Sequence, residues 1–171
     1  MIEIPTLRTS RLVLRPWQIT DTEALFAILQ QEDILRYFPR TTPPPLEGVR
    51  RFILHHLAHW QEQGYGHWAV VSQEDQQLIG WNGLEYLTES GETEVAFLLS
   101  KSFWGQGLAT EATLAALDFG FETVGLAEVI GLVHPENVAS RRVLEKIGMT
   151  FTRQAAYFGM ELWRYELRRP G

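Results

Sequence analysis

Trp104-Gly105-Gln106-Gly107-Leu108-Ala109 joins an apolar stretch ending at Leu99 to a run rich in Ala, Leu and Phe that begins at Leu108. The first side reads as a strand and the second as a helix. Two glycines at such a junction let backbone N–H groups turn toward a ligand, and the helix N-terminus adds about half a positive charge. Together they make an anion cradle suited to a pyrophosphate. Two other glycine loops are excluded. A P-loop carries Lys-Ser or Lys-Thr after its second glycine, and neither is present here. A dinucleotide fingerprint needs a third small residue at position 110, where Thr110 stands, and opens a βαβ unit. A glycine turn that merely links strand to helix is the bland alternative.

About thirty residues on, the chain reads Val133-His134-Pro135-Glu136-Asn137-Val138-Ala139-Ser140-Arg141-Arg142. A strand ends, a polar turn follows and a short helix begins. Asn137 stands where an N-cap would stand. Taken alone, Asn137 only caps that helix and Ser140 lies on its first turn.

Working outward, Arg11 to Arg15 alternates as a short strand, and Thr20-Asp21 offers an N-cap for a helix over 21–31. Thr41-Thr42-Pro43-Pro44-Pro45 is a stiff loop. Val49, Phe52, Ile53, Leu57 and Trp60 form a 3.6-residue stripe on a helix that ends near Gly64, a C′ glycine. Strands are expected over 67–71, 77–86 and 93–99, joined by links too short for parallel crossovers. Gly80 and Gly83 suggest a bulge or a close backbone approach in the second of these. A helix over 108–124, a strand over 128–133, a helix over 137–146 and strands over 151–158 and 161–167 complete the chain. This is an α/β class with a mixed, mainly antiparallel sheet.

The bulk numbers fit that reading. With 171 residues, 45% apolar and 21% charged, the chain suits one domain with one core, over 1–171. A net charge of -6 argues against a nucleic-acid partner, which would call for a basic face. There are no cysteines, so disulfides, thiolate metal sites and a Cys nucleophile are excluded, and no metal is expected. No segment has the length of apolar chain needed for a signal or a membrane span. A cytoplasmic protein without a membrane partner is expected, and a homodimer is the default assembly.

The pairing of WGQGLATEA (104–112) with HPENVASRRVLEKIGM (134–149) resembles the GNAT acetyltransferase superfamily. With the opening TLRTSRLVLRPW, it looks like the branch that contains the ribosomal-protein N-acetyltransferases RimJ and RimL, over about residues 6–168. The resemblance implies a six- to seven-stranded sheet flanked by about four helices and splayed between its fourth and fifth strands. It implies acetyl-CoA as donor. The CoA pyrophosphate would sit on the backbone of Trp104, Gly105, Gln106, Gly107, Leu108, Ala109 and Thr110. Trp104 departs from the family's usual Gln or Arg at the first position. The pantetheine would lie beside Phe97, Leu98 and Leu99 and face Asn137, with Ser140 at the sulfur. Arg141, Arg142 and Lys101 would reach the phosphates, unless they form only a solvated charged face.

The implied reaction moves an acetyl group to a primary amine, on a protein N-terminus or a small molecule, by direct attack in a ternary complex. An amine attacks only when neutral. At pH 7 deprotonation costs about 1.4 kcal/mol for an α-amino group and about 4.6 kcal/mol for a lysine. Glu94 is the expected base, an exposed strand carboxylate being its bland reading. Glu85 and His134 stand in reserve, since imidazole suits acid–base work. An oxyanion donor is expected from a backbone N–H near Leu98. Glu111, at a helix N-terminus, reads as structural. Many members of the family place a Tyr seven residues after the Asn as acid; here that position is Leu144, and Ser140 is the substitute. Leu144 also keeps open a different class of function, a CoA-binding sensor or scaffold with little turnover. The acceptor pocket is expected among residues 31–45, Trp81, Asn82, Glu85 and residues 157–161.

Overall fold

The structure is a computed structural model that describes all of residues 1–171. Eight strands form one sheet in the order β1-β2-β3-β4-β5-β6-β8-β7. They are β1 (Leu7–Arg8), β2 (Leu12–Arg15), β3 (His67–Ser72), β4 (Leu78–Leu87), β5 (Glu92–Leu99), β6 (Glu128–Val133), β7 (Thr150–Tyr157) and β8 (Met160–Arg168). All neighbours are antiparallel except β5 and β6. The expected class and mixed sheet are therefore present. The eighth strand is the two-residue β1, which folds back on β2 and was too short to show a period.

Four α-helices flank the sheet: α1 (Thr22–Leu29), α2 (Leu46–Gln63), α3 (Leu108–Asp118) and α4 (Val138–Lys146). None is long and apolar enough to cross a membrane. The first begins after a 3₁₀ turn at Ile19–Asp21. Asp21 does not cap it with its side chain; the carboxylate is held instead by Arg15 and by the N–H of Gln18. The long third helix continues past Asp118 as a π-helical stretch, Phe119–Val124. Gly64 closes α2 in the left-handed region at φ 77°, as expected of a C′ glycine.

Side chains of successive strand residues point to opposite faces, and the core divides accordingly. Trp68 and Val70 of β3 join α3 and α4 in one apolar cluster. Ala69 and Val71 join α1 and α2 in the other. All of β3 is buried, which is why its sequence reads as a continuous apolar run.

The sheet is pinned by a close approach at Gly80. A Cβ there would lie 1.9 Å from the Leu98 carbonyl oxygen, and φ is +152°. The β3/β4 register shifts between Val70 and Val71, opposite this point, so the expected bulge is real. On the far side of β5 the ladder to β6 holds only at Glu94↔Ile130 and Val95↔Gly131. Beyond these pairs the two parallel strands diverge. That is the expected splay between the fourth and fifth strands counted without β1.

Candidate active site

The glycine loop leaves β5 through a short 3₁₀ turn, Lys101–Phe103. Gly105 and Gly107 have φ of 73° and 77°, a region that favours glycine. None of the N–H groups from Gly105 to Thr110 donates to a protein acceptor. Those at Leu108, Ala109 and Thr110 are the free donors of the first turn of α3. Trp104 to Gly107 are exposed, and the unpartnered donors that follow them are the groups the expected anion cradle would use.

Two side chains hold the loop. The Trp104 indole Nε1–H donates to the Leu99 carbonyl at 2.7 Å, with Lys101 Nζ 5.8 Å from its ring centroid. Arg11 reaches from the turn before β2: Nη1 donates to the Gln106 carbonyl at 2.9 Å and Nε to Glu111 Oε1 at 2.8 Å. Glu111 also accepts from the Thr9 hydroxyl and the Arg11 N–H. Desolvation opposes its ionisation, but these bonds prevail and hold its pKa below the usual range. Glu111 thus ties the first strands to the cradle. Arg11 was missed, because nothing local links position 11 to position 106.

The splay opens into a cleft of about 550 Å³. On its β6 side, Asn137 accepts the Ser140 N–H at 3.2 Å and caps α4, and both residues line the cleft. The Arg141 guanidinium stacks 4.2 Å above Trp163 and donates to the Pro135 carbonyl, while Arg142 is exposed. His134 lies against Tyr37, ring centroids 5.1 Å apart, and its Nδ1 accepts the Glu136 N–H. Leu144 is buried against Gly131 of β6, so an aliphatic core residue fills the place of the family's Tyr.

On the β5 side, the register decides which backbone groups face the gap. The Ser100 N–H bonds to the Ile79 carbonyl. Antiparallel bonded positions alternate, so Leu98 also turns its N–H and C=O to β4. The N–H groups that face the splay belong to Phe97 and Leu99. The oxyanion donor expected near Leu98 would be one of these two neighbours.

Glu94 is buried, with 8% exposure, and lines the cleft. Its bland reading as an exposed carboxylate does not hold. Burial, and secondarily the charge of Glu85 directly opposite on β4, pushes its pKa up to about 8. Trp81 and Glu85 lie on the same face and line the cleft, as do Tyr37, Phe38, Arg40, Phe158 and Met160. Asn82 does not. It is one residue out of phase with Trp81, so it points to the other face and donates to Thr113 Oγ1 of α3 at 2.9 Å.

Sequence reading missed a group of histidines at the acceptor end. His55 and His56 of α2 and His67 of β3 line the cleft around Glu85. His56 and His67 stack with centroids 4.1 Å apart. Both are buried and neutral: desolvation, then neighbouring histidines, lowers each, His67 to about 3. A signal existed, for His56 stands three residues after Ile53 and four before Trp60, on the buried stripe of α2. His59 serves the scaffold, with Nδ1 on the Tyr65 carbonyl and Nε2 accepting the Tyr86 N–H.

A free N–H cradle at a helix start, a parallel strand pair that parts beside it, and a cleft between them together define an acetyl-CoA-dependent acyltransferase fold. Comparison with known proteins agrees. The family described as "Acetyltransferase (GNAT) domain" matches residues 11–150, and the chain belongs to it. An N-acetyltransferase of Bacillus subtilis, YoaA, is 29% identical over 145 residues, covering 84% of this chain and 82% of its own. The crystal structure of an acetyltransferase from Agrobacterium tumefaciens superposes with a TM-score of 0.86 at 31% identity, covering 98% of this chain and 96% of that one. A RimL ribosomal L7/L12 α-N-protein acetyltransferase in complex with coenzyme A gives 0.82 at 16% identity, over 96% and 98% of the two chains. At that identity the likeness is one of fold.

Proposed function

We propose that this acyltransferase moves the acetyl group of acetyl-CoA to a primary amine by direct attack within a ternary complex, and that it stands nearest the RimJ/RimL branch. The observation that carries the reading is the buried carboxylate of Glu94, set in the cleft at the point where β5 and β6 part. An amine entering from the Glu85 side meets the thioester at the splay, and Glu94, directly or through a water, takes its proton. The amine nitrogen bonds to the thioester carbon and the C–S bond breaks. The oxyanion formed on the way is held by the Phe97 or Leu99 N–H. The departing thiolate is met by the Ser140 hydroxyl, which stabilises it by a hydrogen bond. The pyrophosphate rests on the N–H groups of 105–110, and Arg142 and Lys101 are free to reach phosphate.

The branch assignment rests on TLRTSRLVLRPW at the start of the chain and on Trp104 at the head of the cradle. An acceptor on a protein N-terminus or a small molecule fits a cleft that is open, aromatic-walled and acidic at its floor.

Thermal unfolding with acetyl-CoA, followed by amine-dependent thiol release, tests the reading. Saturating donor at ~100 times Kd adds about 2.7 kcal/mol to stability, and an amine then releases free CoA with intersecting initial-rate lines. Parallel lines would place a covalent acetyl-enzyme on the path and overturn direct attack. Donor stabilisation with no amine turned over would make the chain a CoA-binding protein instead.

A further inference from the structure

We propose that His55, His56 and Glu85 form a binding site for a divalent transition-metal ion of the zinc class at the acceptor end of the cleft. Nothing in the acetyl-transfer reading uses these histidines.

The three ligands come from two elements, α2 and β4. His55 and His56 are neighbours on α2, where successive residues diverge by ~100°. Their rings stand 5.0 Å apart at an interplanar angle of 83°. One ligand atom from each of His55, His56 and Glu85 lies within 4.8 Å of the others. His55 Nε2 is already 3.7 Å from Glu85 Oε1. A tetrahedral ion with bonds of ~2.0–2.1 Å holds its ligand atoms about 3.4 Å apart. His55 is 63% exposed and has the freedom to close the remaining distance.

The second observation is three buried imidazole nitrogens without hydrogen-bond partners, two on His67 and one on His56. His67 is 3% exposed, and neither of its ring nitrogens has a hydrogen bond. Its Nε2 lies 3.7 Å from Glu85 Oε2, whereas His55 is nearest Oε1. Buried His56 likewise leaves Nδ1 unpaired. Orphaned buried polar atoms are costly, and an ion relieves that cost. Neutral imidazole is the form that binds metal. Two imidazoles and a carboxylate select zinc, cobalt, nickel or copper over magnesium or calcium, which prefer all-oxygen sites. His2Glu with an open fourth position is an established zinc set. His67, stacked on His56, lies beside the Glu85 carboxylate as its support rather than as a ligand. An ion here neutralises Glu85 and occupies the space an acceptor would use.

The test is metal binding to the full chain after dialysis against a chelator, with neither CoA nor amine present. Its failure is thereby separate from failure of the acetyl-transfer reading. Titration with Co2+ should give one ion per chain and visible absorption bands from the bound ion, with Zn2+ displacing it. His55→Ala and Glu85→Gln, both at exposed or half-buried positions, should each lower affinity at least about tenfold (1.4 kcal/mol), with native circular dichroism retained. Absence of saturable one-to-one binding, or wild-type affinity in either variant, overturns the site.

Discussion

Glu94 and Glu85 face each other directly across β5 and β4, two carboxylates on one face of the sheet in one cleft. Glu94 is buried and Glu85 is half-buried. Burial and the neighbouring charge act in the same direction on Glu94, giving it the proton affinity that the proposed base needs near neutral pH.

Replacing Glu94 by Gln should lower kcat by about 10²–10⁴ while leaving acetyl-CoA affinity within a few-fold. In chelator-treated wild type, kcat/KM should rise with pH through an inflection near 8, and that inflection should vanish in the variant. Other titratable or charged groups in the cleft are Glu85, His67, His55, His56, Tyr37, Arg40 and His134. Stopped thiol-release assays from pH 6 to about 9.5 check this. A full pH profile surviving in Glu94→Gln removes Glu94 as base.

The same pair has a stability signature. Glu94's folded pKa lies above its ordinary value of 4.5. Between there and about 8 the folded chain keeps a proton that the unfolded chain has released, so stability falls as pH rises through the window. Glu94→Gln removes that loss. Its Tm should exceed wild type above pH 8 and converge with it below pH 4.5, as scanning calorimetry would register.

Arg11 holds the Gln106 carbonyl and Glu111 together. Arg11→Ala should loosen the cradle and raise the acetyl-CoA KM about 5–30-fold, the equivalent of about 1–2 kcal/mol, with kcat largely kept. Glu111→Gln should act on the same unit, so the double variant should fall short of the sum. Additive effects would show that the two residues act separately.

Gly107→Asp should abolish donor binding with the fold retained. A Cβ there meets only Arg11 Nη2, at 3.6 Å, so space is available. The residue's φ of +77° costs about 1–2 kcal/mol for a non-glycine, and a carboxylate would stand in the phosphate cradle. Calorimetric titration with CoA checks it, and unchanged affinity would reduce the loop to a turn.

Gly80→Ala should be the most damaging single methyl in the chain, costing more than about 4 kcal/mol or preventing folding, since its Cβ would overlap the Leu98 carbonyl. Gly64→Ala is the comparison for open space: nothing lies within 4 Å of its Cβ, so only its φ of +77° costs it, about 1–2 kcal/mol. Urea unfolding of the two variants measures the difference.

The local features were legible because their causes are local. Alternation and the 3.6-residue stripe placed every long element, and Gly105, Gly107 and Asn137 mark their own turns by backbone need. The element ends were less legible. Asp21 looked like a cap, yet a better partner, Arg15, takes its carboxylate. Asn82 looked like a cleft residue, yet strand phase turns it to the other face. No pattern in a strand states which face meets which helix.

By itself, the sequence determined the α/β order, the glycine turn at 104–109 and the family, because each rests on residues close together in the chain. Only the tertiary structure decided that Glu94 is buried opposite Glu85, that Arg11 braces the cradle from about 95 residues away, and that Phe97 and Leu99, not Leu98, present N–H groups to the splay. It also brings His55 and His56 of α2 and His67 of β3 around Glu85 of β4, the grouping on which the proposed metal site rests. Desolvation, register and the meeting of distant side chains depend on what the fold places across the gap, and that information is absent from any single stretch of chain.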